Sequence, residues 1–315
     1  MNERTFERFT LPSCDGDELA CYRLIPGTPP KAIVQIGHGM AEHASRYIRF
    51  ARFLCDNNIA VYAHDHRGHG ATTAGGMLGH FADKSGPYKI LCDLAIVAEK
   101  TAMENPGVPR FLFGHSMGSF LARHYAAEHG TELSGLIISG TSGDPGIMGM
   151  FAKLIARIET IVHGKRAKST LMNKLMFGSF NAYFKPNRTA FDWLSRDPVE
   201  VDAYCADPLC GFICTTQLYA DLIALVKVVS RQALISCMPK SLPVFFVSGS
   251  NDPVGNNGVG VKKIFSRFEK AGMTDLKITL YNDARHELLN ETNRDSVFSD
   301  ILKWLEKHLP VQTKG

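Results

Sequence analysis

The sequence predicts an α/β fold: a mostly parallel, eight-stranded sheet with helices on both faces and a helical insertion near its middle. Three observations predict it. Short apolar runs at 31–36, 59–63, 111–113, 135–138, 244–247 and 276–280 alternate with amphipathic stretches, the rhythm of a parallel sheet covered by helices. The run at 31–36 is apolar on both faces, as the middle of such a sheet requires. The rhythm stops between about Gly140 and Lys240, where helical periodicity continues without an apolar strand, and then resumes.

Taken in order, 5–12 and 19–25 read as two short strands around the Asp15-Gly16-Asp17 turn. The strand at 31–36 ends in Gly37-His38-Gly39-Met40. Tyr47, Ala51 and Leu54 lie at helical spacing within 42–56, and Asn57-Asn58 closes that helix. The strand at 59–63 runs into His64-Asp65-His66-Arg67-Gly68-His69-Gly70. Pro87 opens a helix with Ile90, Leu91, Leu94, Val97 and Ala98 inward, and Asn105-Pro106-Gly107 ends it. The strand at 111–113 leads through Gly114-His115-Ser116-Met117-Gly118 into a helix at 120–129. Within the interruption, Ile147, Phe151, Leu154, Ile155, Ile158 and Val162 mark one helix and 218–229 another. After it come a strand at 244–247, a helix through Val261, Ile264, Phe265 and Phe268, a strand at 276–280, and a last helix through Val297, Ile301, Trp304 and Leu305. The expected organisation is a core at 1–140 and 241–315 with a cap at 141–240, held over the C-terminal edge of the sheet, where open α/β folds bind ligands.

Composition excludes several classes. With 45% apolar and 21% charged residues in 315, the chain reads as a soluble globular protein. Met1-Asn2-Glu3-Arg4-Thr5 has no apolar stretch of the signal-peptide kind, and no apolar run approaches the ~18 residues of a membrane span, so a cytoplasmic protein is expected. A net charge of +4 is too mild for a nucleic-acid binder. The eight cysteines are expected as reduced thiols. Cys205, Cys210 and Cys214 do not match a metal knuckle, and Cys210 and Cys214 are expected on one buried helix face.

The chemistry centres on Ser116. A G-x-S-x-G stretch between strand and helix is the sharp, strained turn that lifts a serine clear of a sheet. A serine hydroxyl attacks only when a base takes its proton and a third group orients that base. Asp252 ends the loop after 244–247, and His286 lies in the loop after 276–280, so both occupy the places such partners require. Asp283 and Asp144 are the rival acids; Asp252 is preferred because it alone ends a buried strand between the serine and the histidine. The N–H groups of Met117 and Met40 are the candidate oxyanion donors. His64, His66 and His69, with Asp65, could suggest a metal. Lacking a further carboxylate or cysteine at ligand spacing, and flanked by glycines, they are expected to form a tight structural loop; no metal or cofactor is implied. From Gly146 to Thr189, eight basic residues (Lys153, Arg157, Lys165, Arg166, Lys168, Lys174, Lys185, Arg188) face one acid, Glu159. A basic face beside an apolar stripe suits either a cap helix closing a pocket or one lying on an anionic lipid surface.

Along nearly its whole length the chain resembles the monoacylglycerol lipase and lysophospholipase group of α/β-hydrolases. The resemblance rests on Gly37-His38-Gly39-Met40-Ala41-Glu42-His43 with Arg46-Tyr47, on Asp65-His66-Arg67-Gly68-His69-Gly70, on Gly114 to Gly118, on Ser250-Asn251-Asp252-Pro253 and on Ala284-Arg285-His286-Glu287. It implies Ser116, Asp252 and His286 as a triad, with Met40 and Met117 as donors. It also implies that Glu42, Arg46 and Tyr204 line the polar end of the pocket, where a glycerol-like leaving group sits. Ser119 departs from the glycine common after the turn. The expected function is a serine carboxylester hydrolase acting on a single-chain acyl ester, monoacylglycerol or lysophospholipid. A peptidase or thioesterase on the same triad is the alternative, and an acyl-binding protein without turnover the third reading.

Overall fold

The computed structural model describes residues 5–72, 76–144 and 146–310; Met1 to Arg4, read above for an export signal, lie outside them. Eight strands form one sheet in the order β1-β2-β4-β3-β5-β6-β7-β8. They are β1 (Glu7–Pro12), β2 (Glu18–Leu24), β3 (Ala32–Gly37), β4 (Ile59–His64), β5 (Arg110–His115), β6 (Gly135–Ser139), β7 (Val244–Gly249) and β8 (Leu276–Tyr281). β1 and β2 join antiparallel, and β3 to β8 pair parallel. β3, β4 and β7 are buried at every residue, as strands covered on both faces must be.

The two-residue period sorts side chains between the two faces. Val34, Ile36, Phe111, Phe113 and Phe245 pack under α1 (Ile48–Asp56) and α10 (Arg294–Lys307). Leu112, Leu136, Ile138 and Phe246 pack under α2 (Gly86–Glu104), α3 (Met117–His129) and α9 (Val259–Lys270). Register puts Gly37 beside Gly114 and His115 beside Ser139, so the loops that leave β3, β5 and β6 emerge side by side.

Between β6 and β7 the chain forms α4 (Ile147–His163), α5 (Thr170–Phe177), a 3₁₀ turn at Phe180–Phe184, α6 (Pro198–Ala206), α7 (Thr216–Val229) and α8 (Gln232–Ile235). Three of these start on side-chain caps: Ser169, Asp197 and Thr215 accept the N–H groups of Met172, Val199 and Leu218. α7 packs on α2 and α3, with Leu218, Leu222 and Leu225 in the core, so the helical layer of the core draws one member from the insertion. Two readings need correction. Cys210 and Cys214 are both buried, but in a loop rather than on a helix face, because Asp207-Pro208 stops α6. The helix after Ser116 begins at Met117 rather than at 120, since the turn feeds directly into it. Among the described residues, no helix is long and apolar enough to cross a membrane.

Candidate active site

Ser116 sits between β5 and α3 with φ of +51° and ψ of −118°, a backbone state that costs a non-glycine residue of order 1–3 kcal/mol. The surroundings impose it. Ser116 N–H donates to Ser139 O at 2.9 Å, and the turn is squeezed on both sides. A Cβ on Gly118 would overlap the carbonyl oxygen of Gly37, and one on Gly114 would overlap the Gly118 carbonyl. Half-buried Ser116 lines a cavity of about 1810 Å³, well above the ~300–1,000 Å³ of common small-molecule sites.

His286 and Asp252 reach the same place from the loops after β8 and β7. Asp252 is fully buried. Its Oδ2 accepts His286 Nδ1–H at 2.9 Å and the Ser248 hydroxyl at 3.4 Å, and its Oδ1 accepts Val254 N–H at 2.9 Å. Engagement of Nδ1 fixes the tautomer in which Nε2 is the basic nitrogen. Burial pulls the imidazole toward neutrality, but the adjacent Asp252 carboxylate outweighs it, and the His286 pKa stands above its ordinary value. The rival acids are elsewhere: Asp283 is exposed and accepts from the Asn282 amide, and exposed Asp144 accepts Gly146 N–H. His286 lines the cavity with Ser116.

The loop after β3 supplies the facing wall. Gly39 N–H is already taken by Glu42 Oε1 at 2.6 Å, and Met40 and Ala41, the next residues of that loop, line the cavity. Met117 heads α3, so its N–H is among the four that a helix leaves without an internal acceptor. Met40 and Met117 both line the cavity. Ala41, at φ +54°, is braced from the insertion: its carbonyl accepts the Tyr204 hydroxyl at 2.8 Å and Gly211 N–H at 2.9 Å.

Glu42 and Tyr204 line the cavity, whereas Arg46 does not. Arg46 stands behind the wall, bonded to Glu42 Oε2 at 2.7 Å and to both oxygens of Glu287 at 2.6 and 2.7 Å, with its guanidinium 4.8 Å from the Tyr204 ring centre. Burial pushes the Glu42 carboxyl up, but Arg46, His115, His38 and the Gly39 N–H together pull it down to about 2. Glu42 is therefore an ionised, fully bonded acceptor. The rest of the lining is mainly apolar, with Lys153, Lys227, Lys262, Lys263 and Lys270 among it, and α4 contributes Ile147, Met148, Phe151 and Ile155. Beyond the cavity α4 stays uncovered, with Ile161 73% and Val162 65% exposed.

Residues 28–293 match the family described as serine aminopeptidase, S33. The chain belongs to that family. It is 30% identical to the monoglyceride lipase of Rattus norvegicus over 96% of this chain and 91% of that protein. Identity to the monoacylglycerol lipase of Mycolicibacterium smegmatis is 29%, over 90% and 91% respectively. Among solved structures, a thermostable carboxyl esterase from Bacillus coagulans in complex with glycerol superposes with a TM-score of 0.90 at 28% identity, covering 98% of this chain and all of that one. The fold is the α/β-hydrolase fold.

Within this S33-family site, several contributors carry no motif. Trp193 lies over His286 with ring centres 5.2 Å apart, and the carbonyls of Trp193 and Leu194 accept the N–H groups of His286 and Glu287 at 3.4 and 2.8 Å. The insertion thus holds the histidine loop directly. His115 packs 4.6 Å from His286, and burial lowers its own pKa to about 4, so a neutral ring faces His286. Buried Ser119, the departure noted in the sequence, donates to Ser116 O and contacts Thr141 Oγ1 at 2.8 Å, tying the turn to the start of the insertion. Chain order gives no hint of these contacts; the scarcity of tryptophan, two in the chain, is the one signal that could have marked Trp193.

His64, His66 and His69 are fully buried, and burial holds His64 and His69 near 3. His66 N–H donates to His38 Nε2 at 2.9 Å, and the His66 and His64 rings meet at 3.2 Å. Asp65 turns away from the rings, accepting Ala44 N–H, Ala71 N–H and the Tyr22 hydroxyl at 2.8 Å each. The loop acts as a packed buttress beneath Gly37-His38-Gly39.

Proposed function

We propose that this chain hydrolyses carboxylic esters of single-chain acyl lipids, monoacylglycerol or lysophospholipid, through an acyl-enzyme on Ser116. The observation that carries the proposal is the buried Asp252–His286 pair facing the same mainly apolar cavity as a serine on a strained turn. His286 Nε2 takes the Ser116 proton as Oγ attacks the acyl carbonyl. The oxyanion is held by the N–H groups of Met40 and Met117. The leaving alcohol departs with the proton from His286, and water then repeats the sequence to release the fatty acid. Glu42 and Tyr204 border the polar end, where an alcohol of glycerol size fits, with Arg46 holding Glu42 in place. The names of the relatives, monoglyceride lipases, support this substrate class.

A peptidase is the second reading, favoured by the family's own description. Recognition of a peptide α-ammonium needs an unneutralised carboxylate at the polar end. Glu42 and Glu287 share the single guanidinium of Arg46, so the group keeps one net negative charge, and the names of the relatives, monoglyceride lipases, are what weigh against a peptidase. Exposed apolar residues of α4 beside Lys153 and Arg157 support a peripheral contact with an anionic lipid surface, from which such a substrate enters. Parallel assays of a monoacylglycerol, a lysophospholipid, an acyl-CoA and an aminoacyl amide test the assignment. The monoacylglycerol or lysophospholipid is expected to turn over fastest; preference for the amide or the thioester would overturn it.

A further inference from the structure

A second cluster of reactive side chains lies where the insertion meets the core, outside the lining of the cavity. His43 belongs to the loop after β3, three residues past Met40; Asp207 and Cys210 follow α6. His43 Nε2, a carboxylate oxygen of Asp207 and Cys210 Sγ all lie within 4.8 Å of one another. We propose that His43, Asp207 and Cys210 bind a zinc-class divalent cation that clamps the insertion to the Met40 loop.

The donor set argues for this class of ion. One imidazole, one carboxylate and one thiolate suit zinc, whereas magnesium and calcium take oxygen ligands. Three protein donors leave the fourth tetrahedral position to water, and Asp207, with 30% of its side chain exposed, gives that position a path to solvent. The arrangement is pre-formed on both sides. Asp207 and Cys210 are fixed by one turn, in which Leu209 N–H donates to Asp207 Oδ1 at 2.8 Å and Cys210 N–H donates to Asp207 O at 3.0 Å. That turn is held against the core by Gly211 N–H on Ala41 O at 2.9 Å. His43 Nε2 already sits 2.8 Å from Asp207 Oδ2.

Binding is a proton-for-metal exchange. His43 binds through Nε2 as the neutral imidazole with its one proton on Nδ1, and Asp207 binds as the carboxylate. Cys210 gives its S–H proton to solvent as the sulfur–metal bond forms. Burial holds the Cys210 thiol protonated; nearby Arg46 favours the thiolate, while Glu42, Asp207 and Glu287 oppose it. The ion lies behind the wall and supplies nothing to the ester reaction. Its effect is mechanical: Ala41 and Tyr204 become fixed relative to each other, so a cap that must move for substrate entry moves less.

The bland alternative is a His43–Asp207 ion pair beside an inert buried thiol, and the sulfur separates the two. The full chain is loaded with Zn2+ and studied by zinc X-ray absorption, then titrated with Co2+ to follow thiolate-to-metal charge transfer. The expected result is one ion per chain with one sulfur at about 2.3 Å and nitrogen and oxygen at about 2.0–2.2 Å. Cys210→Ser should lose the charge-transfer band and bind Zn2+ at least ~100-fold more weakly, and His43→Asn and Asp207→Asn should weaken it similarly. A shell of nitrogen and oxygen alone in the wild-type chain would overturn the proposal, as would a thiolate band that survives Cys210→Ser, which would place the ion on exposed Cys14, Cys205 or Cys237. The wild-type absorption result decides even where a variant does not fold, and neither readout depends on ester hydrolysis.

Discussion

The floor and the roof of the cavity are built on opposite principles. The floor is the C-terminal edge of the sheet, where the loops after β3, β5, β7 and β8 converge on buried Asp252, His286 and the strained turn at Ser116. There, backbone contacts leave almost no freedom: Gly114 and Gly118 lie so close to neighbouring backbone that no Cβ fits on either. The roof is α4 to α6, where α4 buries only Gly149 and Ala156 and turns large apolar side chains to solvent. The difference teaches where chemistry and selectivity reside. On the proposed reading, atoms that must hold position to a fraction of an ångström are placed by the sheet, and the surface offered to a variable acyl chain is left loosely covered.

Substitutions at the floor should therefore act on rate, and those at the roof on access. Ser116→Ala is expected to lower kcat for a monoacylglycerol by about 10⁶-fold with little change in Tm. Asp252→Asn should cost about 10⁴-fold by releasing the His286 tautomer. It should also move the pH profile. The wild-type base must be neutral, so activity falls as pH drops through the raised His286 pKa. Without the carboxylate, burial dominates and the acid limb of kcat/KM shifts to lower pH. Gly118→Ala forces a Cβ into the Gly37 carbonyl and should cost ~3 kcal/mol, read as a lowered urea midpoint. The smallest effect on stability is expected at the roof. Ile158→Ser with Ile161→Ser, both residues exposed and outside the cavity lining, should change stability by no more than ~0.5 kcal/mol. The same pair should weaken sedimentation with anionic vesicles while leaving turnover of a soluble short-chain ester intact. A large loss of stability in this pair, or none in Gly118→Ala, would erase the contrast between floor and roof.

The same contrast decides what the sequence made legible. The strand–helix alternation and the placement of Ser116, Asp252 and His286 at the ends of strands depend on local periodicity and chain order, which a single sequence displays. α5 and α6 are not legible in the sequence because they are short and carry no sustained one-sided stripe. The family resemblance implies Arg46 in the cavity wall, but Glu42 and Glu287 draw it behind that wall, the second through a contact spanning 241 positions of chain. Trp193 against His286 and Ser119 against Thr141 are likewise long-range packing choices that no local pattern encodes. For α4 the stripe was visible, but whether it faced the cavity or solvent was not: Ile155 packs inward and Leu154 and Ile158 face out.

The central claim is that Ser116 is the nucleophile of a single acyl-transfer site. Its most direct test is intact-mass measurement after exposure to a lipid-like fluorophosphonate, followed by peptide mapping. The account predicts one adduct per chain, located on Ser116 and absent from Ser116→Ala. An adduct on another residue, or labelling that persists in Ser116→Ala, would contradict it.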